Sequence, residues 1–145
     1  MRAALLSSLL PLLVTLAALG AHAAEPSLAL LPLGGDATDD ARRGVEARAR
    51  IAAGRYAALQ ERGVTDQALR TAGTLGLSCD TAAAPCAAKM GGLAGAARVL
   101  FGTLDAQGTL VLSLVDVNAE GAAPATERVA LPAAGVARDA AIERA

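Results

Sequence analysis

Apolar runs separated by glycine-containing breaks divide the sequence into alternating strands and helices. Residues 27–33 are almost continuously apolar, which is typical of a strand buried on both faces. Gly34, Gly35 and Asp36 break this run. Across residues 40–62, apolar residues recur every three or four positions, which predicts a helix with one buried stripe. The folded part of the chain is therefore expected to begin with a strand followed by a long helix.

The predicted helix over 40–62 carries apolar residues on one side and charges on the opposite side. Its apolar stripe comprises Val45, Ala49, Ala52, Tyr56 and Leu59. The opposite side carries Arg43, Glu46, Arg50 and Glu61. Thr38 and the two aspartates after it are suited to capping the first turn, which explains this acidic cluster better than a cation site does. Gly63 is suited to ending the helix.

The middle of the sequence predicts two shorter helices. A helix capped by Thr65 or Asp66 fits residues 64–77, and the glycines in that stretch limit its length. A further helix begins at Pro85 or Cys86 and runs to about Gly95, since proline is well tolerated in a first helical turn.

The last third of the sequence predicts a β-meander and a final helix. Alternating apolar runs over 99–104 and 109–117 flank a turn, which indicates a hairpin. A second turn signal over 118–121 precedes a third strand over 126–131. Together these elements predict an α/β (α+β) fold, a mixed β-sheet with two to three helices packed on it and a C-terminal β-meander. The final helix is expected over 136–145.

The first 23 residues have the layout of a secretory signal peptide. Arg2 supplies a positive charge, residues 3–20 are almost wholly apolar, and Ala21-His22-Ala23 is a small-x-small cleavage site. A membrane anchor is the alternative, but Pro11 interrupts the run. No cysteine follows it to accept a lipid. We therefore expect cleavage near Ala23, a single α/β domain over 24–145 without an integral membrane span, and a periplasmic or secreted location.

Composition limits both the core and the choice of partner. Tyr56 and Phe101 are the only aromatic residues, so the core must consist of Leu, Val, Ile and Ala. Alanine buries little apolar area, so a covalent cross-link would help to stabilise a domain with such a core. The formal net charge is −1. A nucleic-acid partner is not expected, because it would require a basic stripe.

Cys79 and Cys86 are the first candidate site. An even cysteine count in an exported chain indicates a disulfide, and here it would hold the loop that enters the helix after Cys86. Free thiols, or redox or metal chemistry, are the alternatives. The spacing lacks the two-residue separation of oxidoreductase motifs. The only histidine, His22, leaves with the signal peptide, so no catalytic, cofactor-binding or metal-binding residue is predicted, and no cofactor is expected.

Two other patterns have plain structural explanations. Gly91, Gly92 and Gly95 suggest a phosphate-binding loop, but no strand precedes them and the Gly-Lys-Ser/Thr ending is missing. Close helix–sheet packing is the preferred interpretation. A row of arginines at seven-residue intervals is expected to lay its stems along a sheet edge. That row comprises Arg48, Arg55 and Arg62.

The segment C-A-A-K-M-G-G-L-A-G-A-A-R-V-L-F-G-T-L, followed by L-V-L-S-L-V-D-V-N-A-E-G, carries a family resemblance. With the early strand and the long helix, it resembles the periplasmic α/β domains related to the TolB N-terminal domain and CsgG. The resemblance spans about residues 27–131. It implies a mixed sheet with two or three helices, a Gram-negative envelope setting and a role in protein–protein contacts, with no catalytic residues to carry over.

We therefore expect a non-enzymatic exported binding domain, with an envelope or outer-membrane-associated protein as its partner. An exposed edge strand over 126–131 would suit binding by strand addition. Two alternatives stay open. One is a thiol-redox protein that uses the cysteine pair. The other is a small-anion-binding protein that uses backbone amides near Gly34 and Gly35 or in the turn from Gly91 to Gly95.

Overall fold

A computed structural model of the protein describes residues 27–77, 80–119, 121–132 and 136–145, without the side chains of 136–139. The predicted signal peptide, Cys79, Glu120 and Gly135 lie outside the described residues. The described helices and strands, in chain order, are β1 (Leu28–Leu30), α1 (Asp39–Ala53), α2 (Arg62–Thr74), α3 (Ala84–Leu93), β2 (Arg98–Leu104), β3 (Thr109–Asp116), β4 (Ala125–Ala130) and α4 (Val136–Arg144).

The four strands form one mixed sheet in the order β1-β2-β3-β4. Strand β1 runs parallel to β2, with Leu30 opposite Leu100. The other two pairings are antiparallel and place Leu100 opposite Leu114 and Leu112 opposite Glu127. The predicted α/β class, the mixed sheet and the C-terminal β-meander are therefore confirmed. The connection from β1 to β2 contains α1, α2 and α3.

Helices cover both faces of the sheet because alternate strand residues point to opposite sides. On one face, Val45 of α1 and Ile142 of α4 pack with Leu104, Leu110 and Leu112. On the other face, residues of α2 and α3 pack against β2 and β3 through Ala72, Cys86, Ala87, Met90, Val99, Phe101 and Val115. The sheet is thus the middle layer of three.

Glycine lets α3 and β3 approach β2 closely. A Cβ atom on Gly91 would lie 2.1 Å from Val99 Cγ2 and 2.9 Å from Val117 Cγ2. A Cβ on Gly102 would lie 1.9 Å from the carbonyl oxygen of Val111. The predicted role of the α3 glycines in helix–sheet packing is therefore confirmed at Gly91.

The long helix ends earlier than its sequence pattern predicts. Helix α1 stops at Ala53 with Gly54 as its C-cap, and Tyr56 is 82% exposed instead of lying in an apolar stripe. Leu59 forms a parallel bridge with Leu28, so the residues around it serve as an extra edge segment beside β1. Gly63 lies inside α2 and does not end a helix.

This earlier helix end also corrects the predicted arginine row. Arg55 follows α1 and Arg62 is the first residue of α2, so these two do not share a helix with Arg48. Arg55 instead forms an ion pair with Glu143 of α4, with 3.4 Å between Nη1 and Oε2. Val64 lies inside α2, which begins before the predicted caps Thr65 and Asp66.

The hairpin between β2 and β3 closes as its turn residues predict. Gly108 has a positive φ of 86°, a conformation that glycine adopts without steric cost. The Asp105 carboxylate accepts a hydrogen bond from the Thr109 amide at 2.7 Å. This backbone hydrogen bond is the main reason that the pKa of Asp105 is lowered from its ordinary value. The carboxylate therefore has a local structural role in the turn.

Substitution of Gly91 tests the close approach of α3 to the sheet. We expect Gly91→Ala to lower the free energy of unfolding by about 1–3 kcal/mol, because the added methyl group overlaps Val99. Gly92→Ala is the matched control, since its Cβ would lie at an ordinary 3.6 Å from Val117 Cγ1 and alanine favours the helix by up to about 1 kcal/mol. Urea unfolding measures both. Equal stabilities would contradict the packing argument.

Candidate functional site

The two edges of the sheet differ in how far other parts of the chain cover them. At the β1 edge, Leu28 exchanges two backbone hydrogen bonds with the segment after α1. Its amide donates to the Ala58 carbonyl oxygen and its carbonyl oxygen accepts from the Gln60 amide, both at 2.8 Å. This segment therefore takes the position that a neighbouring strand would occupy.

Helix α1 covers the remainder of the β1 edge with three charged side chains. Arg50 donates from Nη1 to the Gln60 carbonyl oxygen at 3.0 Å and from Nη2 to the Leu30 carbonyl oxygen at 3.4 Å. Glu46 Oε1 accepts from the Leu33 amide at 2.7 Å. Arg42 Nη1 donates to the Leu33 carbonyl oxygen at 3.4 Å. The β1 edge is thus occupied by partners from the same chain.

These three residues are spaced by four, so they lie along one line of the helix. The sequence pattern placed Glu46 and Arg50 on the side opposite the apolar stripe, which is wrong. The available signal was that Glu46 and Arg50 directly follow Val45 and Ala49, two buried stripe residues. They therefore border the buried stripe and reach the strand backbone beside it.

Arg50 is the most strongly perturbed cation of this group. Its pKa is lowered from the ordinary arginine value, first by burial and then by the nearby charge of Arg62, while Glu46 and Asp66 act in the opposite direction. A guanidinium stays charged in proteins despite such a shift. Arg50 therefore acts as a permanent, fixed hydrogen-bond donor to the edge.

Strand β4 forms the opposite edge and, among the described residues, is paired only with β3. Leu131 donates its amide to the Gly108 carbonyl oxygen at 2.8 Å, which continues the register that pairs Thr109 with Ala130. In an antiparallel ladder, bonded and non-bonded positions alternate along each strand. The residues bonded to β3 are therefore Ala125, Glu127 and Val129, and those whose backbone groups face outward are Thr126, Arg128 and Ala130.

The side chains of β4 leave this edge accessible. Every residue from Ala125 to Ala130 is exposed except Val129, which is half-buried. Within the described part of the chain, Glu127 and Arg128 form no ion pair or hydrogen bond through their side chains. The Thr126 hydroxyl lies 2.9 Å from the Ser113 hydroxyl, which ties β4 to β3 on one face. The edge is therefore ordered by β3 and open on its outer side.

An apolar groove lies beside the start of β4. It has a volume of about 510 Å³ and is lined by residues of α3, the end of β3 and the turn that leads to β4. Small residues, Ala84, Ala88 and Gly92, form most of its α3 side. Its lining includes Pro85, Ala88, Lys89, Val115, Val117 and Ala122.

The structure describes only one member of the predicted cysteine pair. Cys86 lies in the first turn of α3, is 4% exposed and packs in the core with Met90 and Phe101. Thiol–disulfide exchange requires access to the sulfur, so this burial favours a structural role for Cys86 over a redox role.

At both glycine segments suggested for anion binding, backbone amides have partners within the chain. The Gly34 amide donates to the Gly102 carbonyl oxygen at 3.0 Å. The Gly95 and Ala96 amides donate to the carbonyl oxygens of Gly92 and Gly91 at 3.1 and 2.9 Å. The amides of Gly34, Gly95 and Ala96 are therefore not available to bind an anion.

The described residues contain neither a metal-binding cluster nor a membrane-spanning helix. In that part of the chain, no three His, Cys, Asp or Glu side chains are close enough together to hold a metal ion. None of the helices described combines the length and apolar character that crossing a membrane requires.

The fold is a three-layer α/β domain with a mixed sheet, and it has a counterpart among solved structures. The chain is similar to the C-terminal domain of LpoB from Salmonella enterica, at 16% sequence identity and a TM-score of 0.50. The match covers 82% of this chain and 93% of that domain. No family model matches the chain, and no curated protein matches it.

At this level of identity the match shows a shared fold. The sequence pattern predicts a TolB- and CsgG-like domain, whereas the structural likeness is to the LpoB domain. The finer resemblance to TolB and CsgG stays a prediction.

Substitution of Arg50 tests how the β1 edge is closed. Arg50→Ala removes the donors of two carbonyl oxygens, and we expect it to lower the free energy of unfolding by about 1–2 kcal/mol, allowing for partial solvent access. Arg43→Ala is the control on the same helix, because Arg43 forms an exposed ion pair with Asp40. We expect that control to stay within about 0.5 kcal/mol of the parent. Urea unfolding of both variants gives the comparison, and similar losses would refute the edge role of Arg50.

Proposed function

We propose that this chain is a non-enzymatic, exported protein-interaction domain of the bacterial envelope. The observation that carries the proposal is the open β4 edge, where outward backbone groups of Thr126, Arg128 and Ala130 have no partner among the described residues. Such an edge offers main-chain hydrogen bonds to an extended segment of another protein. The closed β1 edge directs strand addition to β4 alone.

A sequence prediction and the shared fold support the envelope setting. The predicted signal peptide over 1–23 would export the chain to the periplasm or beyond. The fold is shared with the C-terminal domain of LpoB. The sequence from Cys86 to Gly121 carries the predicted resemblance to TolB- and CsgG-like envelope domains. The proposed partner is an envelope or outer-membrane-associated protein. The buried Cys86 and the paired glycine amides favour this function over the redox and anion-binding alternatives.

Site-specific photo-crosslinking in the native host tests this function. A crosslinking residue at Thr126 is expected to give an adduct with another envelope protein, identified by mass spectrometry. A crosslinker at Ile51, which is also exposed but lies on α1, serves as the control position and is expected to give none. Adducts from Ile51 and none from Thr126 would place the interaction elsewhere and overturn the proposal.

Two proline variants distinguish the loss of binding at the β4 edge from the loss of the folded structure. Arg128→Pro removes an outward amide and places a ring in the path of an added strand, so the Thr126 adduct should be lost. Because that amide makes no bond to β3, we expect the melting temperature to change by only a few degrees. Val129→Pro removes an amide that donates to β3 and leaves a carbonyl oxygen of β3 unpaired, so it should destabilise the domain by about 1–3 kcal/mol. An Arg128→Pro variant that is folded and still forms the adduct would refute binding through β4.

We also propose that a disulfide joins Cys79 to Cys86 and holds the loop before α3. Its loop is shorter than 15 residues, so the expected stabilisation is somewhat under about 3 kcal/mol. The folded, purified protein should not react with a maleimide until it is unfolded and reduced. A Cys79→Ser/Cys86→Ser variant should unfold at lower urea concentration yet keep its circular dichroism spectrum. Rapid labelling of both thiols in the exported protein would contradict the disulfide.

A further inference from the structure

We propose, on the basis of the function proposed above, that β4 selects an extended partner segment in which an acidic residue is immediately followed by a basic one. The segment adds antiparallel to β4, so that its acidic residue lies opposite Arg128 and its basic residue lies opposite Glu127. The juxtaposition that carries this inference is two adjacent, oppositely charged side chains on an edge strand, both without a partner among the residues that the structure describes.

The backbone fixes which registers an added strand can use. The outward N–H and C=O groups belong to Thr126, Arg128 and Ala130, at every second position. A partner strand must match this alternation to form its hydrogen bonds. Antiparallel addition continues the pattern of β2, β3 and β4. Each residue of the partner then faces one residue of β4 across the new pair, with its side chain on the same face.

The charges of β4 select among the sequences that satisfy this backbone requirement. Glu127 and Arg128 are consecutive, so their side chains point to opposite faces of the sheet. Both are exposed, and neither has a side-chain partner in the described part of the chain. Opposite charges directly across a strand pair attract and like charges repel. Each face therefore contributes one independent charge preference.

The direction of the partner chain converts these preferences into a sequence order. Because an antiparallel partner runs the other way, the residue opposite Arg128 precedes the residue opposite Glu127. The position before them lies opposite Val129, which is half-buried and favours an apolar neighbour. The position after them lies opposite Thr126, which favours a β-branched residue. The preferred order is therefore apolar, acidic, basic, β-branched.

The same edge is poorly suited to a second copy of this chain. A two-fold pairing centred on residue 127 or 128 places Glu127 opposite Glu127, or Arg128 opposite Arg128, and like charges across a strand pair repel. Centring on Val129 brings Pro132 opposite Thr126, where proline offers no amide donor. Centring on Thr126 brings Pro124 opposite Arg128, with the same loss. The favoured occupant is thus a segment of a different protein.

Selection from a displayed library of twelve-residue segments tests the charge order. The exported chain and its charge-reversed variant Glu127→Arg/Arg128→Glu serve as two baits. Both substituted positions are exposed, so the variant should keep the parent melting temperature. We expect the parent to enrich segments with the acidic residue first and the variant to enrich the reversed order. Two synthetic peptides that differ only in this order should then differ in Kd by about tenfold, with the preference inverted between baits.

Amide hydrogen exchange locates the bound peptide. The amides of Thr126, Arg128 and Ala130 should exchange quickly in the free protein and become protected with the peptide. Those of Glu127 and Val129 should be protected in both states, since they already pair with β3. Binding without new protection at the three outward amides would overturn the proposal.

The remaining outcomes also decide the question. Failure to enrich any segment, or enrichment of the same sequences by both baits, would refute the charge order. Concentration-dependent dimers by light scattering, abolished by Arg128→Pro, would make a second copy the occupant and refute it as well. The proposed function is judged separately, because the Thr126 crosslink in the host requires a partner at β4 but no particular charge order.

Discussion

The closure of the β1 edge by α1 is the interaction on which the rest of the structure depends. β1 is only three residues long, and its outward backbone groups would be left unpaired without Arg50 and the segment from Ala58 to Gln60. A buried carbonyl oxygen without a donor is costly. By supplying donors from a helix that also packs on the sheet, the chain fixes α1 and the start of α2 relative to β1 at once.

Small residues allow this domain to form a core that depends little on aromatic side chains. Phe101 is the single aromatic residue in the described core, and Gly91 and Gly102 let backbone and side chains approach where a methyl group would not fit. Close approach gives the dispersion contacts that large side chains supply elsewhere. Small residues of α3 also line the groove, where Ala88 lies on one side and Val117 on the other.

Local patterns predicted most of the fold, and the errors arose where a tertiary contact overrode them. The hairpin around Gly108 and the strand after residue 124 followed from apolar alternation and turn glycines. The end of α1 could not be predicted in this way, because the helical spacing of apolar residues continues through Tyr56 and Leu59. In the structure, Leu59 pairs with β1 instead. A periodic pattern cannot reveal that a strand elsewhere in the chain forms hydrogen bonds with the same backbone segment. The sequence also could not predict which residues of β4 face outward, because that assignment depends on the hydrogen bond between the Leu131 amide and the Gly108 carbonyl oxygen.

The charged β4 edge illustrates how protection and recognition use the same physics. Charged residues on an edge strand deter indiscriminate pairing. A second copy of this chain, for example, would bring either a like charge or a proline without an amide donor opposite β4. A partner that supplies the complementary charges avoids that repulsion and gains the same main-chain hydrogen bonds as any other strand. Discrimination therefore comes mainly from the sequences that β4 rejects. On this argument Glu127 and Arg128 set specificity, while the backbone of Thr126, Arg128 and Ala130 supplies the affinity.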